Sequence, residues 1–445
     1  MRRFLLIVLT AAFLVSGCRS AVPAAVAQPT PRPATGDSIG EAYSLIIQRS
    51  ADPVDPAKVA AAGVKGLYLE LLTEGFAPPD VPNPTFSTDA NQNLPVLEAS
   101  VQSEASRYAS KLTPGQVDDA VIASMAASVG DCHTTYFKPA TFLEEQQFLQ
   151  GQTQFGGIGA SLRRSKSGEP LVIWRVFQGT PAAQAGLHGG DVIQAVDGRD
   201  ITALSVQEVV DLIRGPVGRP VGLTVQSPGS ADPKTLTITR AQIQPPSVEH
   251  TLLPNGVGYV QLYGFPVNVA GQFKQALDAL DRQGATSWII DLRDNGGGSL
   301  DAVTQVSSMF APKNTLLYYL FDSTGKRTNY NADGSVRSHL PPMVALVNDG
   351  TGSGGEIFAA VLSENGLARL VGTKTAGCVG TGQMFPLPSG GGIQITVDDL
   401  NTGKGKVLNK IGLSPDIAVD LTVQDLVAGR DPQLERAIGL IRTGQ

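Results

Sequence analysis

Val344-Ala345-Leu346-Val347-Asn348-Asp349-Gly350-Thr351-Gly352-Ser353-Gly354-Gly355-Glu356-Ile357-Phe358-Ala359-Ala360-Val361-Leu362 joins a short apolar run to a glycine-rich bend and then to a segment of helical composition. The run reads as a buried strand, the glycines as a sharp turn, and Glu356 onward as a helix. Ser353 then stands where strand becomes helix. Glycines on both sides let a substrate approach the backbone closely and leave N–H groups available, and a helix N-terminus favours developing negative charge. A nucleophilic serine with an oxyanion hole needs those things. A glycine-rich loop holding an idle serine fits the same residues, so the rest of the chain has to decide.

With 445 residues the chain has room for two or three domains. Its net charge of -6 gives no basic footprint, which argues against nucleic acid as a partner. Fifty glycines and thirty prolines imply many turns. Met1-Arg2-Arg3, the apolar Phe4 to Val15 and Leu14-Val15-Ser16-Gly17-Cys18 resemble a bacterial lipoprotein signal, with cleavage before Cys18 and lipidation of its thiol. An ordinary secretory signal with a chance cysteine is the alternative. Either reading places the mature chain outside the cytoplasm, and the first anchors it to a membrane of the bacterial cell envelope. If Cys18 carries lipid, Cys132 and Cys378 are the two thiols left, and an oxidising compartment favours a disulfide between them.

After the signal, 1–17, residues 18–37 are too poor in large apolar groups to form a core and read as a flexible tether. From 38 to 150 the periodicity is helical, with Asp55-Pro56 and Thr113-Pro114-Gly115-Gln116 as helix starts. The last helix delivers Gly130-Asp131-Cys132-His133-Thr134-Thr135-Tyr136, which holds one of only four histidines. From 151 to 243 short strands alternate with glycine-rich turns, among them Leu171 to Phe177 and Asp191 to Gly198 around a short helix at Thr180-Pro181. This order resembles a PDZ domain of the permuted kind found in bacterial proteases. The resemblance implies a groove in which Gly157, Ile158, Gly159 and Ala160 meet a peptide's terminal carboxylate and Val206, Val209 and Val210 line the wall. A groove filled by the chain itself is the other possibility.

From 244 to 445 the pattern is α/β. The strand Ser287 to Leu292 ends in Arg293-Asp294-Asn295-Gly296-Gly297-Gly298, a second strand–glycine–helix junction able to aim amides at the Ser353 turn. Signal, helical segment, PDZ-like module, Asp291 to Gly298, Ser353 and the late Gly412-Leu413-Ser414-Pro415-Asp416 together resemble the C-terminal processing peptidases, or tail-specific proteases. The resemblance implies an α+β multidomain chain whose core is crotonase/ClpP-like, with Ser353 as nucleophile, Gly297 and Gly354 as oxyanion donors, substrates with free C-termini and no cofactor. No metal-binding cluster is evident in the sequence.

One departure from the family stands out. Relatives carry a lysine base in a Thr-x-Gly-Lys-Gly run, whereas here Lys374-Thr375-Ala376-Gly377-Cys378-Val379-Gly380 puts Cys378 in its place. The base is then assigned to His133, whose ordinary pKa suits proton transfer and whose Asp-x-His-Thr setting resembles the tricorn-type branch. That branch's late glutamate corresponds to Asn409 and is missing. Lys374 is a rival base, His188, His250 and His339 read as ordinary, and Asp131 either orients the imidazole, caps the helix or pairs with a nearby arginine. Glu364 stands where relatives often have an aspartate, and Arg293-Asp294 reads as a brace. The readings that remain are a lipid-anchored serine endopeptidase with His133 as base, and a peptide- or lipid-binding scaffold without proteolysis.

Overall fold

The structure is a computed structural model that describes residues 37–76, 84–164 and 169–443. The expected signal, the Cys18 lipidation site and nearly all of the expected tether lie outside the described residues. Asp37, placed at the end of the tether, instead caps the first helix by accepting from the Gly40 N–H.

Four helices follow: Ser38–Arg49, Pro56–Thr73, Ala90–Arg107 and Pro114–Val129. Asp55 and Asp89 cap the second and third, and Thr113 with Gln116 makes a capping box on the fourth, each satisfying amides that a helix start leaves open. Gly130, with φ of 77°, ends the fourth helix in the left-handed region. Tyr43, Leu67, Leu97, Ile122 and Met125 pack the helices together, yet the same cluster takes in Leu387, Ile393 and Ile395 from far along the chain. Directly after the helices, Thr135–Phe137 pairs antiparallel with 392–394. The expected helical domain of 38–150 is therefore not self-contained. Its core is completed by a strand of the last domain, because four amphipathic helices leave one face that needs a sheet.

The PDZ-like module is an antiparallel sheet in the order Ala160–Arg163, Leu171–Val176, Val192–Val196, Pro220–Gln226, Lys234–Thr239, covered by the helix Val206–Ile213. Phe155–Gly157 and Ala241–Ile243 pair where the chain enters and leaves it. In the last domain a six-stranded sheet runs Val248–Leu253, Val257–Leu262, Ser287–Asp291, Met343–Val347, Ala368–Gly372, Ile417–Ala418. All neighbours are parallel except the first hairpin, and strands buried on both faces explain the unbroken apolar runs. A second, antiparallel sheet is built from Thr135–Phe137, Gly392–Thr402, Leu316–Asp322 and Arg327–Asn331, with Gly380–Pro386 paired to the long strand.

The helix Gly354–Glu364 lies between these layers and is buried from Gly354 to Leu362. Phe358 anchors it, with ring centroids 5.3 Å from Phe310, 6.0 Å from Phe273 and 6.1 Å from Phe265. At the carboxyl end of the second parallel strand, Asp291 is fully buried between Arg293 and Arg175. Burial would push its carboxyl up, but the two guanidiniums win and hold it at about 2. Arg175 belongs to the PDZ-like module, as does Arg163, which pairs with Asp294 at 3.1 Å and Asp349 at 2.8 Å. Both carboxylates sit on the loops that flank Ser353, so the module is tied to them by charge.

Replacing Phe358 with alanine leaves a cavity behind the Ser353 helix. The unfolding free energy from urea titration is expected to fall by about 3–5 kcal/mol, and a loss below about 1 kcal/mol would contradict this packing.

Candidate active site

Ser353 caps the buried helix with φ of 49° and ψ of -120°, a backbone region that non-glycine residues rarely adopt. Its N–H donates to the Cys378 carbonyl at 2.8 Å. The neighbouring glycines are required by contact. A Cβ on Gly297 would lie 2.7 Å from the Ser353 Cβ, and one on Gly355 would lie 2.5 Å from the Asn295 carbonyl oxygen. The two glycine-rich junctions therefore touch backbone to backbone.

Hydrogen bonds lock that contact. The Thr351 hydroxyl donates to the Leu292 carbonyl at 2.8 Å, the Gly352 N–H to the Asn295 carbonyl at 2.9 Å, and the Asp294 N–H to the Asn348 side chain at 2.9 Å. Asn295 is fully buried and its amide group donates to the Leu262 carbonyl at 2.8 Å. Its Oδ1 accepts the Gly297 N–H at 2.9 Å. The Gly297 amide, expected as an oxyanion donor, donates within its own loop, while the Gly354 N–H, in the first turn of a helix, needs no intrahelical partner.

Behind Ser353 the decisive residue is Glu356, three positions into the helix and 0% exposed. Its carboxylate accepts from the Thr375 hydroxyl, from the Gly377 N–H at 2.9 Å and from the Cys378 N–H at 3.0 Å. Burial pushes this carboxyl above its ordinary value, and those hydrogen bonds offset only part of the rise. Glu356 thus fixes the backbone of Cys378, whose carbonyl holds the Ser353 N–H. In the sequence Glu356 reads only as part of a helix, since nothing local marks partners some twenty residues away.

Cys378 is bonded to Cys132 across 246 positions, with Cα atoms 5.7 Å apart. His133 comes with Cys132, and its imidazole rests on the bridge: Nδ1 is 3.5 Å from the Cys132 sulfur and Nε2 3.7 Å from that of Cys378. Asp131 does not reach the ring. It accepts from the His133 N–H, the Thr134 N–H and the Thr134 hydroxyl, so it shapes the loop. Burial lowers the His133 pKa below the ordinary histidine value, with the Asp131 charge opposing, which favours neutral imidazole at pH 7.

His133 and Ser353 line one cavity of about 600 Å³, together with Gly297, Glu145, Met384 and Gln394. Among the described residues no hydrogen bond joins the Ser353 hydroxyl to the imidazole in this state. Lys374 is exposed and does not line the cavity. His188, His250 and His339 are exposed elsewhere. Asn409 lines a different hollow, with Asp131. Glu364 accepts from the Thr402 hydroxyl at 2.8 Å at the far end of the helix. Glu145, missed in the sequence, sits in the cavity wall, and burial pushes its carboxyl up.

In the PDZ-like module Gly157, Ile158, Gly159, Ala160 and Val210 line a groove of about 350 Å³. Val209 does not. It is fully buried in the module's core and Val206 packs against that core, because on the helix Val206–Ile213 the groove takes Gln207, Val210 and Ile213 instead, with Arg214 just past its end. The carbonyls of Ile158 and Gly159 are taken by the Ala182 and Phe177 amides at 2.8 and 3.0 Å.

Residues 256–419 match the model of peptidase family S41, and 146–226 match that of the PDZ domain. The chain is 32% identical over 330 residues to a carboxyl-terminal-processing protease of Synechocystis sp., covering 73% of this chain and 76% of that protein. It is 30% identical over 318 residues to the carboxy-terminal processing protease CtpA of Bacillus subtilis, covering 71% and 66% respectively. Among solved structures, the photosystem II D1 C-terminal processing protease superposes with a TM-score of 0.52 at 26% identity, over 88% of this chain and 97% of that one.

The Glu356→Gln variant replaces an acceptor oxygen with an NH2 group that faces a donor. The rate at which a fluorophosphonate labels Ser353 is expected to drop about tenfold or more, because small displacements of a nucleophile are costly, while the protein stays folded. An unchanged rate would show that Glu356 does not position the serine.

Proposed function

The chain belongs to peptidase family S41, the C-terminal processing peptidases that carry a PDZ domain, and from that premise we propose that it is a serine endopeptidase with Ser353 as nucleophile and His133 as general base. The observation that carries the assignment is the double role of Cys378. Its carbonyl holds the Ser353 N–H and its sulfur is bonded to Cys132, the residue before His133. By the family resemblance read in the sequence, Cys378 takes the place of the relatives' lysine. The crosslink supplies what the lysine would have supplied, a neutral base beside the serine.

The reaction follows from these groups. Ser353 Oγ attacks the substrate carbonyl carbon as the imidazole takes its proton. The carbonyl oxygen becomes an anion at the Gly354 N–H, and at the Gly297 N–H once that amide shares its bond to Asn295. The imidazolium gives its proton to the departing amine as the peptide C–N bond breaks. Water then attacks the acyl ester, loses a proton to His133, and Ser353 Oγ leaves with a proton returned from it. The imidazole lying on the sulfurs rather than on the Ser353 hydroxyl fits this scheme, since catalytic hydrogen bonds often close only in the complex.

Substrate tails are assigned to the PDZ-like groove, where a terminal carboxylate meets the amides of Gly157 to Ala160, whose neighbouring carbonyls already have partners. Lipidation at Cys18 in the cell envelope rests on the sequence of 1–18 alone. Failure of a fluorophosphonate to label Ser353 under both oxidising and reducing conditions would favour a peptide-binding scaffold instead.

Ser353→Ala is expected to abolish cleavage of an unfolded protein substrate, and His133→Ala to lower kcat/KM by roughly 10²–10⁴-fold. The acid limb of the wild-type kcat/KM profile is expected below pH 6.5, the ordinary histidine value, because burial favours the neutral ring. Activity falls as pH falls through that limb, since an imidazolium cannot accept the serine proton. Full activity in His133→Ala would reject the base.

A further inference from the structure

We propose that Cys132, Cys378 and His133 form a zinc site when their disulfide is reduced. A zinc ion in a tetrahedral Cys2His site, with Zn–S near 2.3 Å and Zn–N near 2.0–2.1 Å, places sulfur and nitrogen about 3.6 Å apart and the two sulfurs about 3.8 Å apart. His133 Nδ1 already lies 3.5 Å from the Cys132 sulfur and 4.0 Å from that of Cys378. One ligating atom from each residue falls within 4.8 Å of the others. The nitrogen needs little movement, and the sulfurs only have to part from bonded to non-bonded separation.

The two halves of the site are held by bonds that do not involve the disulfide. On one side, Asp131 accepts from the His133 and Thr134 amides at 3.0 and 2.5 Å, and Thr135–Phe137 is paired with 392–394. On the other, the Cys378 N–H donates to Glu356 at 3.0 Å and its carbonyl accepts from Ser353 at 2.8 Å. Breaking the bridge leaves each ligand anchored. Cys132 is exposed, which gives an ion a path in. Two thiolates and an imidazole select a borderline-soft ion of tetrahedral habit over magnesium or calcium, and three protein ligands leave a fourth position for water.

The chemistry balances. Two electrons from a phosphine or dithiol reductant cleave the S–S bond and yield two thiols, with the phosphine becoming its oxide by taking oxygen from water, or the dithiol closing to a disulfide. Zinc then displaces one proton from each thiol. With the bridge intact neither sulfur is a thiolate and no site exists. Occupancy takes the imidazole away from Ser353, so zinc shuts off the reduced peptidase and leaves the oxidised one untouched. That last step rests on His133 being the base, whereas the site itself does not.

The test uses the full chain with Cys18→Ser, to remove the third thiol, reduced with a phosphine and titrated with Co²⁺ and then Zn²⁺. Thiolate charge-transfer absorption is expected to saturate at one Co²⁺ per reduced chain, to be displaced by Zn²⁺, and to be absent from oxidised protein. His133→Ala keeps the bridge until reduction, so its fold can be checked first. Its affinity is expected to be at least about 100-fold weaker, since losing even a group that only orients a ligand costs about tenfold to 100-fold. Absence of binding by reduced protein overturns the proposal, as does unfolding on reduction or equal binding by the Cys132→Ser, Cys378→Ser double variant. Stoichiometric zinc with undiminished peptidase activity supports the site and counts against His133 as base.

Discussion

A buried carboxylate with three donors holds the arrangement together. Glu356 fixes the turn at Thr375 to Cys378, that turn fixes the Ser353 amide, and the Cys378 sulfur fixes Cys132 and His133. A fully buried carboxylate is costly unless its oxygens are satisfied, and here both are, which makes the arrangement rigid. Ser353 and His133 come from segments more than two hundred positions apart. Their register is set at one point behind the reacting atoms.

The rest of the fold serves that point. The parallel strands Ser287–Asp291 and Met343–Val347 end side by side, so the two glycine-rich junctions that follow them meet. Phe358 and its aromatic neighbours seat the helix that Ser353 caps. The helices 38–129 borrow Leu387, Ile393 and Ile395 from the second sheet, which carries Thr135–Phe137 and with it the Cys132–His133 loop against the core. The Arg163 and Arg175 ion pairs join the PDZ-like module to the same loops. Removing one partner of the buried Asp291 cluster would leave an unpaired charge, a change that typically costs about 3–5 kcal/mol.

Much of this was legible in the sequence where the signal is local. The strand, bend and helix around Ser353, the caps at Asp55 and Thr113, and the PDZ-like order all depend on residues a few positions apart. The pairing of Cys132 with Cys378 was legible because a chain with three cysteines leaves few options. What could not be read depends on distant partners. Glu356 looks like any acidic residue at a helix start, and its value lies in amides that only folding brings near. The second sheet, 316–402, escaped notice because its strands mix exposed and buried positions. Val209 and Val210 differ by one step around a helix, and only the packed module decides which faces the groove. Engagement of the Gly297 amide by Asn295 needs coordinates, since the sequence shows only a glycine run.

The distance between the His133 ring and Ser353 Oγ in a crystal of the phosphonylated, disulfide-bonded protein bears most directly on the account. Proton transfer to His133 requires a ring nitrogen within about 2.6–3.2 Å of Ser353 Oγ or of the phosphonate oxygen bound to phosphorus, or bridged to it by one water. A ring still lying on the sulfurs, out of reach of both oxygens with the adduct in place, would contradict it.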